Sequence, residues 1–134
     1  MVFGTIALEE LASLNKKIVF VMYGGSPVII PAHSCLKAIL NMYLPGQMGG
    51  DSTFDLLFGN VSPSGRLAET WPENIEDIPF INEFTKTDND LYKEGLFVGY
   101  RYFESAKKDV LFPFGYGLSY SNFKYSNLKS YSKS

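Results

Sequence analysis

With 134 residues, the chain has room for one domain. An apolar share of 46% and an aromatic share of 16% favour a packed core over disorder, and a net charge of −2 is too small to draw a nucleic acid or other polyanion. Its single cysteine, Cys35, excludes an internal disulfide framework. The longest apolar run, Ile18 to Tyr23, has a strand's length and falls far short of the roughly 18 residues of a membrane span. Met1-Val2-Phe3-Gly4 lacks a basic leader, and Glu9 and Glu10 interrupt any apolar region after it, so no signal peptide is read. The expectation is a cytoplasmic chain with neither membrane nor nucleic acid as partner.

Thr5 to Asn15 is predicted as a helix. Ile6, Leu8, Leu11 and Leu14 supply the apolar spacing, Thr5 is a candidate N-cap, and Asn15-Lys16-Lys17 ends the run. Lys17 to Tyr23 is a continuous β-branched and aromatic stretch, which suits a strand buried on both faces of a parallel sheet. Gly24-Gly25-Ser26-Pro27 terminates it, and Val28-Ile29-Ile30 is a candidate short second piece. Ser34 to Tyr43 is predicted as a helix from Leu36, Ile39, Leu40 and Tyr43.

Pro45-Gly46 breaks that run, and Gly49-Gly50 leads into a helix from Asp51 to Phe58 with Gly59 at its C′ position. Ser62-Pro63-Ser64-Gly65 reads as a turn and Arg66 to Trp71 as a strand. Glu73 to Asp90 is acidic and polar, a surface segment. Glu94 to Phe103 resumes a partly alternating aromatic pattern. Phe112 to Tyr120 holds four aromatics, two glycines and a proline in nine residues. It reads as a tight turn feeding a strand, with the glycines free to take positive φ. Phe123 to Leu128 alternates like an edge strand, and Lys129 to Ser134 is a polar tail. The order of helix, strand, helix, helix, strand is α/β. It begins on a helix and shows only one or two parallel strands, as the end of a domain whose beginning lies elsewhere would.

Specific wording recurs in order along the chain: Val21-Met22-Tyr23-Gly24-Gly25-Ser26-Pro27-Val28, then Leu44-Pro45-Gly46-Gln47-Met48-Gly49-Gly50, then the stretch from Asp55 to Leu67. Glu94-Gly95-Leu96-Phe97-Val98-Gly99-Tyr100-Arg101-Tyr102-Phe103 and the aromatic turn complete it. Across about Glu9 to Leu128 this resembles the α/β-sandwich domain of family 3 glycoside hydrolases, the β-glucosidase family. The family often has Asn where Gly24 stands and Trp where Ala32 stands; neither change breaks a turn or a strand.

The resemblance implies a partial three-layer α/β sandwich, helices on a mostly parallel sheet, incomplete at its N-terminal side. Residues 1–122 would be the C-terminal part of that domain. Residues 123–134 would be the start of a truncated fibronectin-like domain, or a frayed tail. It further implies retaining hydrolysis of β-glycosides, for which an Asp nucleophile and a Glu acid/base must stand about 5–5.5 Å apart. In the family the nucleophile belongs to a (β/α)₈ barrel and the acid/base precedes the first helix of this chain. The expected catalytic, cofactor-binding and metal residues are therefore none. The expected partners are the missing barrel and, through the parent enzyme, a β-glycoside or oligosaccharide. The alternative is a non-catalytic accessory or carbohydrate-binding module that packs on a separate barrel.

Individual side chains are weighed against structural roles. Glu94 is expected to pair with Lys93 or Arg101 rather than to catalyse. Glu9 and Glu10 belong to the solvated side of the first helix. His33, with no second histidine, makes a poor metal ligand, and its spacing from Cys35 is poor for a nucleophilic dyad. Gly46 to Gly50 lacks a phosphate-binding pattern. Tyr100, Tyr102, Tyr116 and Tyr120 could stack on sugar rings, but core or inter-domain packing is the favoured role.

Overall fold

The computed structural model describes residues 3–14, 17–30, 32–83, 86, 89 and 91–131. The first helix, α1, spans Phe3–Leu14. It starts two residues before Thr5, which therefore lies inside the helix and not at its cap. The expected terminators Asn15 and Lys16 fall outside the described residues. Glu9 and Glu10 are exposed on α1.

Strand β1, Val19–Met22, lies within the predicted run. It pairs in parallel with β2, Ala38–Asn41, with Val19 opposite Ala38 and Met22 opposite Asn41. The ladder continues beyond both ends, through Lys37 N–H donating to Ile18 O (2.8 Å) and Met42 N–H donating to Met22 O (2.9 Å). This corrects the helix expected from Ser34 to Tyr43. Only His33–Cys35 forms a helical turn there, of the 3₁₀ type. Leu36, Ile39 and Leu40 fit a short helix or a strand equally well, and the donors and acceptors along β1 decide the case by offering a ladder. The short piece expected at Val28-Ile29-Ile30 is not a strand; Ile30 drops into the core while Val28 and Ile29 stay exposed.

Helix α2, Gly49–Leu57, follows a 3₁₀ turn at Gly46–Met48. A Cβ on Gly49 would sit 2.8 Å from Pro45 Cγ, so glycine is what lets the helix start against that ring. Thr53 Oγ1 donates back to Gly49 O at 2.7 Å, and Tyr23 donates in turn to Thr53 Oγ1, which ties α2 to the end of β1. Gly59 takes φ +78 just past the helix, as its predicted C′ role requires.

The strand expected from Arg66 to Trp71 shrinks to β3, Trp71–Pro72, paired antiparallel with β4, Val110–Phe112. Pro72 has no N–H to extend a ladder. Between β3 and β4 come 3₁₀ turns at Ile75–Asp77 and Ile81–Glu83, then α3, Tyr100–Ser105. The alternating aromatics after Glu94 are thus split between a turn and a helix. Gly99, at φ 58 and ψ −127, makes the sharp entry into α3. The aromatic turn is fed by β4 and feeds no strand. Phe123 to Leu128 pairs with nothing among the described residues and is not a strand; Tyr125 and Leu128 are 93% and 99% exposed. Alternation alone does not hold an edge strand without a partner's ladder.

Met22, Ile30 and Trp71 form the buried cluster, with Phe20, Leu36, Ile39, Leu67 and Phe112 packed against it. The core therefore joins the parallel pair to the antiparallel pair. The architecture is α/β, helices around a small open parallel sheet, as in a partial α/β sandwich.

Candidate functional site

The aromatic turn organises one end of the molecule. Tyr116 N–H donates to Pro113 O at 3.0 Å, and Gly115 holds φ +77 at the third turn position, the position where a type II turn demands glycine. Leu67 is clamped from both sides: its N–H donates to Tyr116 O and its carbonyl accepts from Gly115 N–H, each at 2.8 Å. Phe112 stacks on Tyr116 at 5.1 Å, and Phe114 stacks on Tyr100 of α3 at 4.5 Å. Gly117 serves differently from Gly115. A Cβ there would lie 2.7 Å from Gly65 O and 2.8 Å from Arg66 Nη1, so close approach and not positive φ requires glycine. Tyr120 donates from its hydroxyl to Leu56 O at 3.3 Å. Tyr100 and Tyr116 are thus engaged in packing with other rings.

Helix α3 separates two clefts. The larger, of about 540 Å³, is bounded by Phe80, Lys93, Glu94, Phe97, Tyr102 and Ser105 among others. The smaller, of about 460 Å³, includes Glu69, Thr70, Tyr100, Arg101 and Phe114. Phe80 holds φ 59, uncommon for a bulky residue. Lys93 Nζ lies 5.6 Å from the centre of the Phe80 ring and pairs with Glu83.

That arrangement corrects the expectation for Glu94. Lys93 is engaged by Glu83, and the Arg101 guanidinium lies 5.8 Å from the centre of the Tyr100 ring. The half-buried Glu94 carboxylate makes no hydrogen bond or ion pair among the described residues. It is the only carboxylate among the described residues that line the larger cleft.

The remaining candidates lie apart. His33 and Cys35 share one 3₁₀ turn, with His33 Nδ1 3.3 Å from Ile30 O and Cys35 a half-buried free thiol. The glycines at 46–50 serve the packing of α2 on Pro45 and Tyr23. Among the described residues no three His, Cys, Asp or Glu side chains gather as a metal site would need. The clefts themselves were missed by sequence reasoning. The pairing of Lys93 with Glu83 across ten positions and the backbone of Phe80 leave no periodic signal; the only local hint was Glu94 beside an aromatic run.

The sequence and fold were compared with known proteins. The family model described as glycosyl hydrolase family 3 C-terminal domain matches residues 4–120. The chain is 46% identical over 122 residues to thermostable beta-glucosidase B of Acetivibrio thermocellus, covering 90% of this chain and 16% of that protein. It is 43% identical over 119 residues to an exo-alpha-(1->6)-L-arabinopyranosidase of Bifidobacterium breve, covering 87% of this chain and again 16% of the relative. Among solved structures, a GH3 beta-glucosidase of Bifidobacterium adolescentis superposes with a TM-score of 0.82 at 44% identity, over 88% of this chain and 18% of that one. The chain thus spans about a sixth of the length of the relatives it matches. With a family model running from residue 4 to residue 120, the chain belongs to the glycosyl hydrolase family 3 C-terminal domain family.

Proposed function

We propose that this chain serves as the closing part of the sandwich domain of a β-glucosidase-type glycoside hydrolase. In this reading it packs against a barrel domain, and the nucleophile and acid/base come from residues outside it. Residues 1–122 belong to the sandwich, and 123–134 lead away from it; the match over 4–120 and the exposed tail support that division. The observation that carries the reading is the likeness to a β-glucosidase over nine-tenths of the chain but one-sixth of the relative. The lone Glu94 in its cleft adds to it, since retaining hydrolysis needs two carboxyl groups about 5–5.5 Å apart.

The test is a transplant. Residues 4–120 replace the matching segment of the Acetivibrio thermocellus relative, and aryl β-glucoside hydrolysis is followed. The chimera is expected to turn over substrate, and the isolated chain to show none above buffer. A folded but inactive chimera, or turnover by the isolated chain that a Glu94→Gln change abolishes, overturns the reading.

A further inference from the structure

The geometry points to the larger cleft beside α3 as a pyranose-binding subsite distinct from any bond-breaking centre, with Phe80 and Phe97 offering ring faces and Glu94 the hydroxyl acceptor. The inference rests on the proposed glycoside hydrolase reading for its ligand class. At about 540 Å³ the space falls within the range of small-molecule pockets, roughly 300–1,000 Å³. A pyranose presents one face of C–H groups and a rim of hydroxyls, so it needs flat apolar surface and acceptors at the edge. Phe80 and Phe97, 45% and 55% exposed, provide the first.

Glu94 provides the second. An ionised carboxylate only accepts, and two oxygens can take two neighbouring hydroxyls. This carboxylate is half-buried and has no partner among the described residues, so its acceptor capacity is unspent. Tyr102 and Ser105, also on the cleft, carry hydroxyls that both donate and accept. Lys93 does not make this an anion site, because Glu83 already balances its charge and the ammonium rests over Phe80. Phe80 keeps its left-handed backbone in the wall of this cleft, the kind of local strain that clusters where a ligand is held.

Saturation-transfer NMR on the full 134-residue chain, with methyl β-D-glucopyranoside and cellobiose at millimolar concentration, tests the proposal. Transfer to the ring C–H protons of one sugar face is expected. It should fall at least tenfold in Phe97→Ala and several-fold in Glu94→Gln, with far-UV circular dichroism unchanged. The same titration in the chimera serves where the free chain self-associates. No transfer from the folded wild-type protein, equal transfer in both variants, or preferential binding of ethanolamine over sugar overturns it. An active chimera whose Phe97→Ala and Glu94→Gln variants bind sugar as the parent does removes the subsite and leaves the enzyme reading standing. A folded, inactive chimera removes the enzyme reading, whatever the sugar titration shows.

Discussion

Trp71 and Phe112 face each other across the β3–β4 pair, their ring centroids 6.1 Å apart and their planes at 63°. Trp71 is 2% exposed and reaches the cluster that holds Met22 of β1. This one contact links the two small sheets. Truncating Trp71 to Ala leaves a cavity at the junction and should cost about 3–5 kcal/mol, the usual range for a large buried aromatic. Tyr131→Ala, in the exposed tail, should fall within about 0.5 kcal/mol. Urea unfolding of the chimera measures both, and similar midpoints for the two variants would deny Trp71 its place at the junction.

Gly115 and Gly117 separate by mechanism. Gly115 needs a left-handed backbone, which Asn adopts more readily than most residues, so Gly115→Asn should cost little while Gly115→Val is strained by about 1–3 kcal/mol. Gly117 needs room against the Gly65 carbonyl, so any side chain there is expected to destabilise, Asn and Val alike, by about 1–3 kcal/mol. Melting temperatures of the four variants give the answer. Equal tolerance of Asn at both positions would remove the distinction.

The third expectation concerns apolar surface. Among the described residues, Met22, Ile30, Trp71 and Phe103 are the buried hydrophobics, whereas Leu44, Met48, Phe54, Leu57 and Phe58 are exposed. An exposed apolar area of that extent suits contact with further protein. The isolated chain should bind a hydrophobic dye and self-associate, and Leu57→Lys with Phe58→Lys should reduce both. A sharp two-state melt of a monomer that binds no dye would contradict this.

Much of the architecture was legible where a residue's chemistry is local. Gly59 and Gly115 announced positive φ because turns and helix ends demand it there. The run Val19 to Met22 announced a strand because β-branched residues crowd a helix. What failed depended on distant partners. Leu36, Ile39 and Leu40 had helical spacing, and only the neighbouring ladder of β1 made a strand of them. Tyr100 to Phe103 looked alternating, yet Gly99 turned the chain into α3. Glu94 had two cations close in sequence, and both went to other partners: Lys93 to Glu83, Arg101 to the Tyr100 ring.

The double clamp on Leu67 has a consequence for how such a chain can change. Because Leu67 is bonded to both Gly115 and Tyr116, everything from residue 68 to residue 114 is an excursion that leaves and returns to one point. Closing a longer excursion costs only about 0.6 kcal/mol for each doubling of its length. Outside the Trp71–Phe112 anchor, this stretch is where insertions cost the molecule least. New contacts can be tried there while the pinned ends keep the rest of the fold in register.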